Sequence, residues 1–457
     1  MTTPIPTPTQ KFPRKFNTLQ ILRSGWYATW IVSFFLLVVS IYTANSQRQA
    51  LKTVGKDAVL SIIAAQQLRD SFADIDASLA SELLSKPGKD LQAMADFEKN
   101  RKKIADRLLA ASKNITFKEE EPIVQGLQRN TIEYFLKFQE TLDTNKLGNP
   151  VNTLNVYREA ASIVDNKIFP QAQKLDEVNN TYLKDSYEID GSINEGLTGL
   201  VTIIGLVQLS ILVVIQLFLY RRMQRILNRS LLAASAISTI FLGYTIFSFM
   251  SASSNLKIAK EDAFDSIYAL RKMRSISYKA NGDESRYLLD AANAGKHEIA
   301  FNTNIAHIIK IPPSLSVAKI IQNTNENRKS DGFTGLFADE FNNITFDGEK
   351  KLAIDSFQAF NDYLAIDAQI RQLYHSGKVA EAIALYIGNK PGQSNWAFDN
   401  YKKVHTKLID LNKIELDRHI KIAEDGLGYF EIIAAGALGS VAILTLFGLR
   451  PRLMEYL

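Results

Sequence analysis

The fold of this chain is decided by residues 196–220, which read GLTGLVTIIGLVQLSILVVIQLFLY and contain no charged side chain. A helix rises about 1.5 Å per residue, so about 20 apolar residues cross the ~30 Å hydrocarbon core of a bilayer. A buried helix in a soluble protein rarely needs so long an uncharged stretch. We therefore predict that 196–220 is a transmembrane helix.

Three further apolar runs have similar lengths, at 26–44, 230–252 and 427–449. Only the last contains an ionisable residue, Glu431, close to its first turn. The first run follows basic residues as a signal peptide would, but it exceeds the usual apolar core and no A-x-A cleavage site follows. The sequence therefore predicts four membrane spans, the first of them a retained anchor.

The short segments beside these spans are basic. Residues 1–25, a Pro/Thr-rich tail, carry four Lys or Arg and no acid, and the loop 221–229 carries four arginines. The tail 450–457 has two arginines and one glutamate. The positive-inside rule places both termini and the loop in the cytoplasm, with 45–195 and 253–426 outside. The net charge of +5 then reflects membrane topology, and it gives no support to nucleic-acid binding.

The two outer segments begin alike, at a constant offset of 205 residues. Ser61 corresponds to Ser266 and Arg69 corresponds to Arg274. Each match follows an apolar span by a similar distance, as in a tandem duplication. Apolar residues recur every three or four positions, for example from 58 to 83, which is typical of packed helices. We predict an all-α membrane protein with two extracytoplasmic antiparallel helical bundles.

Proline and glycine residues suggest where the helices of these bundles end. In the first bundle Lys86-Pro87-Gly88 ends a helix, a second covers about 89–113, a third starts near Pro122, and Pro170 should loosen the fourth. The second bundle breaks at Ala294-Gly295 and has an irregular insert over 311–346. Alternation within Leu336–Phe346 suggests a small hairpin there. Helices are predicted to resume at 347–376, 378–387 and 395–425.

Signatures of catalysis are missing from the sequence. With no cysteine, thiol nucleophiles and thiolate metal sites are excluded. There is no P-loop, no dinucleotide-binding glycine motif and no nucleophile elbow. Five histidines lack metal-ligand spacing and are interpreted as solvated surface residues: His297, His307, His375, His405 and His419. We predict a protein that is not an enzyme and that uses no cofactor and no metal.

Several motifs resemble those of a known group of bacterial proteins. They are DESRYLL at 283–289, FADEFNNITF at 337–346 followed by Gly348-Glu349, AEAIAL at 380–385, GQSN at 392–395, YREAA at 157–161 and Ile168-Phe169-Pro170. The chain resembles four-span membrane proteins with two outer helical bundles, of which the GlnX-type glutamine-sensing transducers are the best known. This chain differs from that group in the length and sequence of residues 311–335, so the resemblance does not identify its partner.

The resemblance implies a non-enzymatic signal transducer in the bacterial inner membrane. In that family a solute-binding lipoprotein outside reports through the four-span protein to a cytoplasmic serine/threonine kinase, protein kinase G. We expect a docking surface on 283–289 and 336–349, with these candidate residues: Asp283, Glu284, Arg286, Tyr287, Asp339, Glu340, Asn343 and Glu349. Surface salt bridges and a core tyrosine are the structural alternative for these residues.

Two other functions remain open from the sequence. The outer bundles could bind a small molecule directly, as chemoreceptor four-helix bundles do, or the chain could be a structural membrane scaffold. Homo-oligomerisation is compatible with each of these functions. The sequence leaves the ligand and the cytoplasmic partner open.

Overall fold

The computed structural model describes residues 18–85, 91–115, 118–223 and 228–454. Within these ranges the α-helices are α1 Thr18–Lys52, α2 Ala58–Leu84, α3 Leu91–Lys113, α4 Glu120–Lys146, α5 Pro150–Ile163, α6 Phe169–Met223, α7 Arg229–Lys257, α8 Asp265–Leu289, α9 Ala294–Ile308, α10 Val317–Asn325, α11 Leu336–Asn342, α12 Glu349–His375, α13 Val379–Tyr386, α14 Ser394–Leu427 and α15 Phe430–Met454. The described residues contain no strand, only an isolated bridge between Lys310 and Thr334. The all-α prediction is confirmed.

Some sequence predictions fall on other parts of the chain. The first 17 residues of the Pro/Thr-rich tail, the loop at Lys86–Gly88, Arg225 of the basic loop and the last three residues lie outside the described residues.

Four helices are long and apolar enough to cross a membrane, and the predicted spans lie in α1, α6, α7 and α15. Large apolar side chains such as Phe34, Phe247 and Ile432 are exposed on them, as expected of a surface that meets lipid. The fourth span begins later than predicted, because a turn at Gly428–Tyr429 separates α14 from α15. The prediction of four helices able to span a membrane is confirmed.

These four helices form one compact unit, the apolar unit, which comprises the described residues up to Gln49, Ile189–Ser253 and those from Ala423 onward. Gln216 on α6 donates from Nε2 to Ser235 Oγ (2.8 Å) and to the carbonyl of Leu231 (3.1 Å). The guanidinium of Arg48 pairs with both oxygens of Glu431 and also donates to the carbonyl of Leu427. The ionisable residue of the fourth span therefore has a cationic partner on α1.

The remaining residues, Ala50–Glu188 and Ser254–Ile422, form a second compact unit, the polar unit. Both long polar segments of the sequence belong to this one unit, and α2 of the first segment packs against α8 of the second as well as against α3. The apolar positions of α2 follow the helical period, and Phe72 stacks edge-on against Tyr134 of α4. In the second segment Phe337 packs against Phe357 with ring centroids 5.3 Å apart.

Three short π-helical segments interrupt the helices, at Thr53–Asp57, Val164–Ile168 and Ile258–Phe264. The second directly precedes Phe169-Pro170, and the N–H of Phe169 bonds to the carbonyl of Val164. Proline has no N–H to continue the α-helical pattern, so the predicted local loosening at Pro170 is confirmed. The first and third segments begin 205 residues apart, which is the offset seen between the sequence matches.

Three local predictions were wrong. Leu336–Asn342 is the helix α11, in which Phe337 and Phe341 lie one turn apart and each pack against Phe357 with ring centroids 5.3 Å away. In a strand, residues four positions apart are separated by about 13 Å, too far for both to pack on one ring in this way. The break in the second segment lies at Asp290–Asn293, where α8 has ended, and Gly295 is inside α9. His405 is fully buried, because its ring is held between Ser356 and the carbonyl of Leu270.

Candidate functional site

Arg286, one of the predicted docking residues, lies at the centre of a buried ionic cluster. Its Nη2 is 2.7 Å from Asp76 Oδ2 on α2, and its Nη1 is 2.7 Å from Asp165 Oδ2. The hydroxyl of Tyr157 lies 3.4 Å from its Nε. The cluster therefore joins α8 of the second segment to two parts of the first.

The carboxylates beside Arg286 maintain its positive charge in spite of its burial. Burial disfavours the charged form of Arg286, but Asp76, Tyr157 and Asp165 outweigh burial and hold its pKa well above the usual range. Burial raises the pKa of Asp76, and Arg286 acts in the opposite direction. A buried ion pair of this kind is costly to break, since removal of one partner leaves an uncompensated charge.

The neighbours of Arg286 in the DESRYLL motif are also buried. Asp283 accepts a hydrogen bond from Asn304 (2.8 Å), and burial raises its pKa to about 7. Glu284 accepts hydrogen bonds from Tyr363 and Ser394, each at 2.9 Å, and burial raises its pKa to about 8. The ring of Tyr287 lies 4.5 Å from the guanidinium of Arg371, within cation–π distance. This motif forms internal contacts.

The second predicted patch contains two buried glutamates. Glu349 accepts hydrogen bonds from the backbone N–H groups of Thr345 and Phe346 and from Asn412. Glu340 is buried without a hydrogen-bond partner for either oxygen among the described residues. Burial, with a smaller contribution from Glu349, raises the pKa of Glu340 to about 8. The neutral acid is the form that such a site favours.

Two of the eight predicted docking residues are exposed. These are Asp339 on α11 and Asn343, which donates to Ser266 Oγ over 2.7 Å. The other six are buried in the polar unit: Asp283, Glu284, Arg286, Tyr287, Glu340 and Glu349. In this conformation the six cannot touch a partner directly. The docking role stays a prediction, and its direct contacts are limited to the exposed residues.

A second ionic cluster in the polar unit was missed by the sequence analysis. Asp74 on α2 accepts from Asn100 (2.6 Å) and from Lys402 (3.1 Å), and its pKa lies below the usual range because these partners outweigh burial. Asp70, one turn earlier, lies 3.3 Å from Arg274 Nε. The two acids lie one turn apart on the side of α2 away from its core stripe of Leu68, Phe72 and Ile75, where solvated charges are expected, so the sequence of α2 alone gave no signal.

The described residues contain no group of three or more potential metal ligands among His, Asp and Glu. In both clusters side chains form ionic pairs, with Arg286 and Arg274 of α8 facing Asp76 and Asp70 of α2.

Residues 50–188 match the family model of the actinobacterial sensor domain. The match covers less than a third of the chain, and its ends coincide with those of the first segment of the polar unit, Ala50–Glu188. No curated protein and no solved structure matches the chain. Together with the four helices that are able to cross a membrane, the match supports a sensory protein of a bacterial membrane.

Proposed function

We propose that this chain is a non-enzymatic transmembrane signal transducer whose polar unit is the sensing part. The observation that carries the proposal is the agreement between the sensor-domain match and the first segment of the polar unit. A sensor needs an element that reaches from the sensing part to the membrane. The 55-residue helix α6 is such an element, because it contains residues of both units without a break.

In this proposal the polar unit is extracytoplasmic, and both termini and the basic loop are cytoplasmic. The excess of Lys and Arg in the tail and in the loop supports this orientation. The absence of cysteine makes the test simple, since a single introduced cysteine is the only thiol. In intact cells a membrane-impermeant maleimide should label Asp331→Cys at once and Arg229→Cys only after lysis. The reverse labelling pattern would refute the orientation.

The proposed partners are an extracytoplasmic solute-binding protein and a cytoplasmic serine/threonine kinase. They rest on the sequence resemblance, and the exposed Asp339 and Asn343 are the proposed contacts. The full chain in lipid nanodiscs should retain a solute-binding lipoprotein from extracts of the same cells. Asp339→Lys should weaken this retention, whereas Asp331→Lys, which changes another exposed aspartate, should not. Equal retention by both variants would remove Asp339 from the interface.

Direct sensing of a small molecule is the second candidate function. A specific observation favours it, namely a polar cavity within the polar unit, close to Asp70 and Arg274. In that case the solute-binding partner is unnecessary, and the ligand would act on the packing of α2 against α8.

A further inference from the structure

A cavity of about 210 Å³ lies among α2, α3, α8 and α14 of the polar unit. Its walls are mostly polar. The four cations that line it are Lys103, Arg107, Arg271 and Arg274, and the carboxylates are Asp70, Asp74 and Asp410. A cavity of this size holds a small molecule of a few heavy atoms, and its charged walls are unlike those of an ordinary packing defect, which are apolar.

The positive charges in the cavity outnumber the negative charges available to them. Asp74 is already occupied by Lys402 and Asn100, and Asp410 is exposed to solvent. Asp70 is thus the one buried carboxylate left for four cations. Burial raises the pKa of Asp70 even against the attraction of Arg274 and Arg271, which weakens it further as a counter-ion.

Arg271 is the least satisfied of the four cations. Its residue is 7% exposed, and its Nε has no hydrogen-bond partner among the described residues. Burial lowers its pKa to about 10, and burial also lowers the pKa values of Arg107 and Lys103. Arg274, in contrast, donates to Thr406 (2.8 Å) and to Tyr278 (3.0 Å). A buried guanidinium with an unused donor is an unfavourable arrangement that an anion would relieve.

We infer that this cavity binds a small carboxylate anion, held by Arg271 with Arg107 and Lys103. A guanidinium presents two parallel N–H groups that match the two oxygens of a carboxylate. The volume of the cavity excludes large ligands. The inference goes beyond the proposed relay, because such a site can exist whether or not the chain docks a binding protein or a kinase.

The test is binding of sodium acetate, sodium succinate and inorganic phosphate to the full chain in nanodiscs, at constant ionic strength. Calorimetry and thermal unfolding are the two readouts. Acetate or succinate should bind saturably and raise Tm by about 3 °C at roughly ten times Kd. Arg271→Gln should weaken binding at least tenfold. Arg418→Gln, which removes an exposed arginine of α14, should leave binding unchanged.

Asp70→Asn provides a change in the opposite direction. It removes the competing carboxylate, so the anion should bind about fivefold more tightly, a result that structural damage could not mimic. This variant decides the question if Arg271→Gln fails to fold. The inference is overturned if no carboxylate binds, if Arg271→Gln binds as well as the natural chain, if Asp70→Asn does not bind more tightly, or if phosphate alone binds. None of these outcomes bears on membrane orientation or partner retention, which have their own tests.

Discussion

Arg286 of α8 and Asp76 of α2 form a buried ion pair, with Nη2 2.7 Å from Oδ2, although 210 residues separate them along the chain. The pair joins the segment that matches the sensor-domain family to the segment that follows the third span. A change in the packing of α2 against α8 must therefore move or break this pair. The polar unit is therefore one structural body built from two segments of the chain.

Replacing Arg286 by alanine is expected to destabilise the polar unit by about 3–5 kcal/mol, because Asp76 would keep its burial and lose its cation. Thermal unfolding of the full chain in nanodiscs, followed by circular dichroism, measures the effect. Arg418→Ala is the matched control, since the side chain of Arg418 is 62% exposed. If the two variants unfold at the same temperature, the cluster does not hold the segments together.

Glu340 should make the polar unit less stable as the pH rises. Its folded pKa of about 8 exceeds the unfolded value of about 4.3, so the unfolded state releases its proton first. The stability that the neutral acid provides is present below about pH 4 and is lost progressively up to about pH 8. Glu340→Gln should therefore flatten the fall of Tm between pH 5 and pH 8. Asp339→Asn, the exposed neighbour, should leave the slope as it is, and an equal effect would contradict the assignment.

His405 should make the polar unit less stable as the pH falls below about 6.5. The carbonyl of Leu270 accepts from Nε2–H, so Nδ1 is the acceptor for the hydroxyl of Ser356, and the ring is neutral. Burial lowers its pKa to about 3. The unfolded state is protonated below about pH 6.5, so stability is lost as the pH falls from there, by about 1.4 kcal/mol per pH unit.

His405→Gln should remove this part of the pH dependence, at the cost of a lower Tm at pH 7 from the altered packing. The measurement is Tm at pH 7, 6 and 5 for both proteins. The matched control is His375→Gln, since the side chain of His375 is 64% exposed. If His405→Gln leaves the change of Tm between pH 7 and pH 5 as it is, both in the natural chain and in the Glu340→Gln variant, the low pKa of His405 is contradicted.

Arg48 and Glu431 should be coupled in the apolar unit. Both side chains are partly exposed, and Glu431 also lies in the first turn of α15, where the helix dipole favours an acid. We therefore expect a coupling energy of about 1 kcal/mol and no more. A double-mutant cycle with Arg48→Ala and Glu431→Gln measures it from the unfolding of each variant. Additive single effects would indicate that the pair contributes nothing.

The helices were predictable because their apolar residues follow a regular period. The four spans could be predicted from the lengths of the apolar runs. The boundaries of α12, α13 and α14 could be predicted from the positions of proline and glycine. The hairpin prediction failed because the Asn-rich stretch after α11 resembled a turn between strands. Only the packing of Phe337 and Phe341 on Phe357 distinguishes the helix, and that contact lies outside the local sequence.

The roles of the charged residues were harder to predict. The sequence predicts Arg286 as a candidate docking residue, because a charged helix face is ordinarily solvated. Nothing in the sequence around Arg286 indicates that α2 covers this face of α8. The structural role of the three aspartates of α2 depends on cations from α8 and α14 that lie about 200 residues or more away in the sequence. The aspartates are Asp70, Asp74 and Asp76, and the cations are Arg271, Arg274, Arg286 and Lys402. Long-range pairing of this kind cannot be read from one helix at a time.

The buried carboxylates of α2 also have a consequence for biosynthesis. Asp76 emerges from the ribosome 210 residues before Arg286, and Asp74 emerges 328 residues before Lys402. At about 5–20 residues per second, Asp76 waits roughly 10 seconds or longer for Arg286. During that interval Asp76 lacks its buried cation, and two further apolar helices, α6 and α7, are made. We therefore expect the carboxylate of Asp76 to stay solvated until Arg286 has been made, so that α2 and α8 pack together late in biosynthesis.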